Sequence, residues 1–170
     1  MICLFVRIFR GGSERIVSLA RVGVWALVAM TMMSCSATRA VRSAFGGALP
    51  VEVKVDPHAN DDAPVAVDLL IIYNTKLVDD LLKKPASEWF DEKKKKQFLA
   101  DHPGELLVEH REWVPGQVVD PLKIEYKSGA HRVIVFAHYQ TEGEHRQALA
   151  TPQPFRILLG ERDFSLEVTQ

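Results

Sequence analysis

Val65-Ala66-Val67-Asp68-Leu69-Leu70-Ile71-Ile72-Tyr73 is almost wholly apolar, rich in β-branched side chains and broken by a single charge. A run of this length bounded by turn residues reads as a strand covered on most of both faces, because a half-exposed strand would alternate instead. A buried helix is the other reading, and the β-branched content and flanking turns favour the strand. Upstream, Val51, Val53 and Val55 alternate with Glu52, Lys54 and Asp56, the two-residue period of a strand with one buried face. Between the two lies Pro57-His58-Ala59-Asn60-Asp61-Asp62-Ala63-Pro64, a polar loop with a proline at each end.

Downstream the period becomes helical. Leu77, Leu81 and Leu82 around Asp79 and Asp80 predict a short helix that Pro85 stops. Ser87 predicts the N-cap of a second helix through Trp89, Phe90 and Lys93 to Lys96 as far as Phe98 and Leu99, ended by His102, Pro103 and Gly104. In that helix the aromatic residues face inward and the lysines face water. The strand pattern returns with Leu106, Val108 and His110 on one face and Leu107, Glu109, Arg111 and Trp113 on the other, followed by the turn Pro115-Gly116. Val118 to Tyr126 predicts a strand that Pro121 assigns to an edge or a bulge, and His131 to Tyr139 is apolar on both faces and therefore central. Residues 140–151 read as a polar connection with one helical turn near Leu149, and Phe155 to Leu159 with Phe164 to Val168 as a closing hairpin. Seven strands, with a helical insertion after the second at about 75–103, make a mainly β protein: an antiparallel β-sandwich over residues 50–170.

The N-terminal region has another organisation. Val22 to Met33 carries no charge, is preceded by Arg7, Arg10, Arg15 and Arg21, and is followed by Ser34, Cys35, Ser36 and Ala37. Basic start, short apolar core and small residues at the cut are the layout of a secretory signal, here 1–34. The run falls short of the ~20 residues that span a bilayer. It also resembles a bacterial lipobox, which would make Cys35 the lipidated first residue of the mature chain and 35–49 a flexible tether; the alternative is an incidental cysteine beside an ordinary cleavage site. Three acyl chains would hold the protein to a membrane almost permanently, and Ser36 after the cysteine resembles the outer-membrane sorting pattern.

Removing 1–34 takes four arginines and one glutamate from 21 basic and 22 acidic residues, which leaves a formal charge of about −4. No basic field for nucleic acid remains. Cys3 and Cys35 are the only cysteines, so the domain is held by its core and not by disulfides.

No phosphate loop, paired-cysteine site or serine-nucleophile motif occurs. His110 and Glu112 share a strand face, but His131 and His138 stand roughly 20 Å apart along a strand, too far to share one ion. The reading is no metal, no cofactor and no enzyme activity. Lys93 to Lys96 reads as a solvated helix face, with a lipid or acidic contact as the alternative, and Trp89, Phe90 and Trp113 as core. In the proline-bounded loop, His58, Asn60, Asp61 and Asp62 offer polar contacts at a low ordering cost, which makes them the candidate partner-binding residues.

The order of these features resembles the outer-membrane lipoprotein of type VI secretion systems, the TssJ/VasD family. The likeness rests on Cys35, on Val51 to Asp56 with Pro57 and Asn60, and on Pro64 to Tyr73, similar to the family's Pro-Val-Val-Val-Arg-Val-Tyr strand. Glu88, Trp89 and Phe90 are similar to its Asp-Phe-Phe step; Leu106 to Trp113 with Pro115 and Gly116, to its strand ending in Arg-Pro-Gly; Val133 to Tyr139 and Arg146, to its late strand and the connection after it. The chain departs from the family in lacking Gly-Arg-Pro-Ser in the first loop and in carrying Asp68 and Leu69 where the second strand usually has a basic residue. The resemblance implies a transthyretin-like sandwich that is not an enzyme, is anchored in the outer membrane facing the periplasm, and binds the periplasmic domain of a TssM-like inner-membrane partner through the first loop. A periplasmic binding or assembly module unrelated to type VI secretion is the alternative, with a zinc-assisted hydrolase third.

Overall fold

The computed structural model describes residues 46–169, all within one compact unit. The leader, Cys35 and most of the tether lie outside the described residues. Among the described residues eight strands form: β1 (Gly47–Val55), β2 (Val65–Ile72), β3 (Leu106–Trp113), β4 (Leu122–Tyr126), β5 (Arg132–His138), β6 (Arg146–Leu149), β7 (Phe155–Leu159) and β8 (Phe164–Val168). They make two four-stranded sheets, ordered β4-β1-β7-β8 and β3-β2-β5-β6. The two predominantly apolar runs thus become the two interior strands of the second sheet.

Because side chains alternate across a strand, β2 and β5 serve two cores at once. Val65, Val67, Leu69, Ile71, Val133, Val135 and Ala137 face the first sheet and meet Val51, Val53, Phe155, Ile157 and Leu159. Leu70, Ile72, Ile134 and Phe136 face outward, where the helical insertion covers them with Leu77, Leu81, Ala86 and Trp89. The result is three layers: sheet, sheet and helices. The outer face of the first sheet stays wet, crossed by Arg156 between Glu52 (2.6 Å) and Glu167 (3.2 Å). Those carboxylates raise the Arg156 pKa through the hydrogen bond and charge of Glu52 first.

The insertion is a 3-10 turn (Thr75–Leu77), α1 (Val78–Leu81), α2 (Ala86–Trp89) and α3 (Glu92–Asp101). The second helix read from sequence as continuous is therefore two. Asp91 is extended and its side chain accepts from Lys94 N at 3.0 Å, so it caps α3 and interrupts the helix after Phe90. Ser87 lies inside α2, whose N-cap is Pro85. Trp89 stacks on Phe136 with ring centroids 5.2 Å apart and meets Phe98 edge-on, which fastens both α2 and α3 to the sheet.

Other departures have local causes. β1 begins at Gly47, not at Pro50, because Gly47 to Val51 pair with β4. Gly46 just before it has φ +74°, and a Cβ there would lie 2.7 Å from the Tyr126 carbonyl oxygen. β4 starts at Leu122, after Pro121, which has no N–H to give a ladder; Val118 keeps only an isolated bridge to Lys54, and β4 is an edge strand. Residues 146–149 are a strand on the free edge of β5 and not a helical turn. Only Leu149 in it is buried, so it carries no period to read. One pairing, β1 with β7, is parallel while the others are antiparallel.

Candidate docking site

The loop from Pro57 to Pro64 leaves β1 and enters β2 at one end of the sandwich. Three other connections gather round it. Asn60 N donates to Gly160 O (3.2 Å) and Asp61 N to Glu161 O (3.1 Å) in the β7–β8 turn; Gly116 N of the β3–β4 turn donates to Asp56 O (3.0 Å). From the β5–β6 connection, Gln140 N donates to Asn60 Oδ1 at 2.7 Å.

Asn60 is the hub of that end. It is 3% exposed, and its Nδ2 donates to Pro64 O at 2.8 Å while its own carbonyl accepts from Ala63 N at 3.1 Å. Asn60, Asp61 and Asp62 all adopt positive φ, between 52° and 63°. The left-handed region costs a non-glycine residue about 1 kcal/mol or more and is best tolerated by Asn and Asp, which explains the residue types. The tight left-handed turn throws Asp61 and Asp62 outward.

Of the four candidates, the structure brings His58, Asp61 and Asp62 to the surface and turns Asn60 inward, so the Asn60 side chain braces the loop and is not on offer to a partner. His58 Nδ1 pairs with Asp62 Oδ1 at 2.9 Å, and its backbone N donates to Asp56 Oδ1 at 2.8 Å. The Asp62 hydrogen bond and then its charge raise the His58 pKa above 6.5, with further help from Asp56 and Glu161. The loop end is thus a negative patch on a fixed backbone.

Beneath it lies a polar support that the sequence did not single out. His145, φ +40°, is buried, with Nδ1 donating to Asp163 Oδ1 (2.9 Å) and Nε2 2.8 Å from Thr141 O. Its ring stacks on Tyr139 at 5.0 Å, and Tyr139 Oη donates to Gly160 O at 3.1 Å. Burial first, then the Asp163 charge, pushes the Tyr139 hydroxyl pKa far up, so it stays a donor. Proximity in sequence could have flagged Tyr139 and His145, but their link to Asp163 is long-range.

A second polar cluster sits under the helices. Asp68 is 0% exposed; Trp89 Nε1 donates to its Oδ2 at 2.7 Å, Lys95 Nζ bonds the same oxygen, and His110 Nδ1 reaches Oδ1 at 2.5 Å. Lys95 therefore leaves the solvated face expected of its run and turns in across the Trp89 and Phe90 rings. His138 stacks on Phe90 at 5.0 Å. Among the described residues no group of three or more metal-ligating side chains converges, and no helix is long and apolar enough to cross a membrane.

Residues 46–169 thus form a helix-capped, two-sheet sandwich with a rigid acidic end. No protein-family model matches the chain, and no curated protein matches it. Solved structures do. The T6SS lipoprotein TssJ1 from Pseudomonas aeruginosa is similar over 74% of this chain and 98% of its own, at 15% identity and a TM-score of 0.54. Serratia marcescens Lip, a membrane bound component of the type VI secretion system, is similar over 74% and 99%, at 16% identity and 0.51. A chain in the structure of the T6SS protein TssM C-terminal domain from EAEC is similar over 72% and 99%, at 14% identity and 0.51. The fold is that of the TssJ-type β-sandwich.

Proposed function

We propose that this chain is a non-enzymatic component of a type VI secretion membrane complex: a lipoprotein anchored in the outer membrane through Cys35 after removal of 1–34, tethered by the residues up to the sandwich, and holding the periplasmic domain of a TssM-like inner-membrane partner. The observation that carries this reading is the likeness of 74% of this chain to almost the whole of type VI lipoprotein chains, combined with the lipobox-like Met32-Met33-Ser34-Cys35. His58, Asp61 and Asp62 are the proposed partner contacts. Strained backbone persists where surrounding structure over-determines it, and such positions cluster at binding surfaces; the left-handed turn here is held by the β5–β6 and β7–β8 connections. The lipid restricts the domain to a thin layer and raises its effective concentration for a membrane-spanning partner.

The test is to express the full chain and Cys35→Ser in a Gram-negative host, label with a clickable fatty acid, and fractionate the membranes. Label and outer-membrane sedimentation that vanish in the variant are the expected result. An unlabelled, freely soluble periplasmic protein contradicts it.

A further inference from the structure

Beside the docking loop the outer surface of the first sheet is hollowed. An open depression of about 600 Å³ lies between β1 and the β7–β8 hairpin, lined by Lys54, Val55, Asp56, Pro57, Leu158 and Asp163 among others. Its walls combine aliphatic surface with two carboxylates, each half used. Asp56 spends Oδ1 on the His58 backbone N; Asp163 spends Oδ1 on His145 and on Phe164 N at 2.8 Å. Among the described residues neither Oδ2 takes a hydrogen bond.

The rim is unusual too. Val118 is 93% exposed and Val114 52%, two of the three exposed large hydrophobics among the described residues. Val118 bridges to Lys54, and the turn they share leans on Asp56. Scattered single apolar residues need no explanation, but two on one turn that bonds to Lys54 and Asp56 in the wall of the hollow form a patch of the kind that marks interaction surfaces. The balance of charge is negative: among the lining residues Asp56 and Asp163 stand against Lys54 alone.

We propose that this depression receives an arginine or lysine side chain of the docking partner, its apolar stem against Val55, Pro57 and Leu158 and its cation at the open oxygens of Asp56 and Asp163, with flanking apolar partner residues on Val114 and Val118. Amphipathic cationic side chains are suited to such a site, since the stem packs while the head pairs, and charge-assisted bonds to a carboxylate are the strong ones. The inference rests on the docking reading above and names the chemistry the partner must carry: a basic residue set among apolar ones.

The test measures binding of the lipidated full chain in nanodiscs to the purified periplasmic domain of the inner-membrane type VI partner from the same cells, at low and high salt. Asp56→Asn with Asp163→Asn keeps both Oδ1 acceptors and removes only charge; Val118→Ser changes a side chain with almost no contacts to lose; Asp61→Lys probes the loop. Binding weaker by about tenfold or more in the double variant, with a flatter salt dependence, and a weaker complex in Val118→Ser are the expected results. Should the double variant melt early, Asp56→Asn combined with Val118→Ser carries the comparison. Wild-type binding by the depression variants, while Asp61→Lys weakens the complex, overturns this inference and leaves the docking reading standing. No binding by the wild type, or full binding by every variant, overturns both.

Discussion

Asp68 and Asn60 are both buried polar residues with every need met inside the fold, yet they are satisfied in opposite ways. Asp68 draws on side chains from three other elements: Trp89 of α2, Lys95 of α3 and, directly opposite on the paired strand, His110 of β3. Asn60 works through backbone, taking N–H and C=O groups of its own loop and of the connections beside it. A charged hub with side-chain partners ties one layer to another. A neutral hub with backbone partners fixes the shape of a surface. The first holds the helical layer to the sheet, and the second holds the loop end in shape.

The largest effect that could break this contrast is at Asp68. Asp68→Ala leaves Lys95 without its carboxylate and the Trp89 N–H without an acceptor, and should cost about 3–5 kcal/mol in chemical denaturation, with amide exchange rising first in α2 and α3. Exchange confined to the loop end would refute the division of labour. Asn60→Ala comes next, at about 2–4 kcal/mol, because it loses buried hydrogen bonds and places alanine in left-handed backbone. Asn60→Gly removes the same bonds without the conformational penalty, so it should recover part of that loss; equal costs would mean that the backbone conformation contributes nothing. Trp89→Phe keeps the ring on Phe136 but deletes the donor to Asp68, for a loss of about 1–3 kcal/mol.

The smallest effect is electrostatic and local. His58 should titrate above 6.5 by NMR, and Asp62→Asn should lower that midpoint, since the Asp62 hydrogen bond is the first cause of the shift. A raised folded pKa means that the pairing's contribution is fully present below 6.5 and fades as pH rises through the folded value. An unchanged midpoint in Asp62→Asn would remove the ion pair from the account of the loop.

The same contrast explains what could be read in the chain. Val65 to Tyr73 and Val133 to Tyr139 are legible as interior strands because burial on both faces leaves a run that is apolar but for Asp68 in one and His138 in the other. The helical insertion was legible from its leucine spacing and from Pro85. Lys95 was not: one lysine in a run of four looks like its neighbours, and only the fold brings Asp68 beneath it. Asp91 looks like another helix-face charge until its side chain closes on Lys94 N. The Pro57–Pro64 loop was legible as a rigid exposed segment, but composition does not tell which polar residue points inward, and Asn60 did. The sequence reading starts β4 at Val118, whereas Pro121 keeps the stretch before Leu122 off the ladder and leaves the valine in solvent. The parallel pairing of β1 with β7 joins segments about a hundred positions apart, and no local pattern encodes it.

In the proposed assembly the loop end, and not the helical layer, meets the inner-membrane partner. A photo-crosslinking amino acid placed at Asp61, and separately at the exposed Lys96 of α3, in cells carrying the secretion system would test it most directly. The account expects a crosslink to the large inner-membrane component from position 61 and none from 96. A crosslink from 96 alone, or no partner at 61 while secretion proceeds, would contradict it.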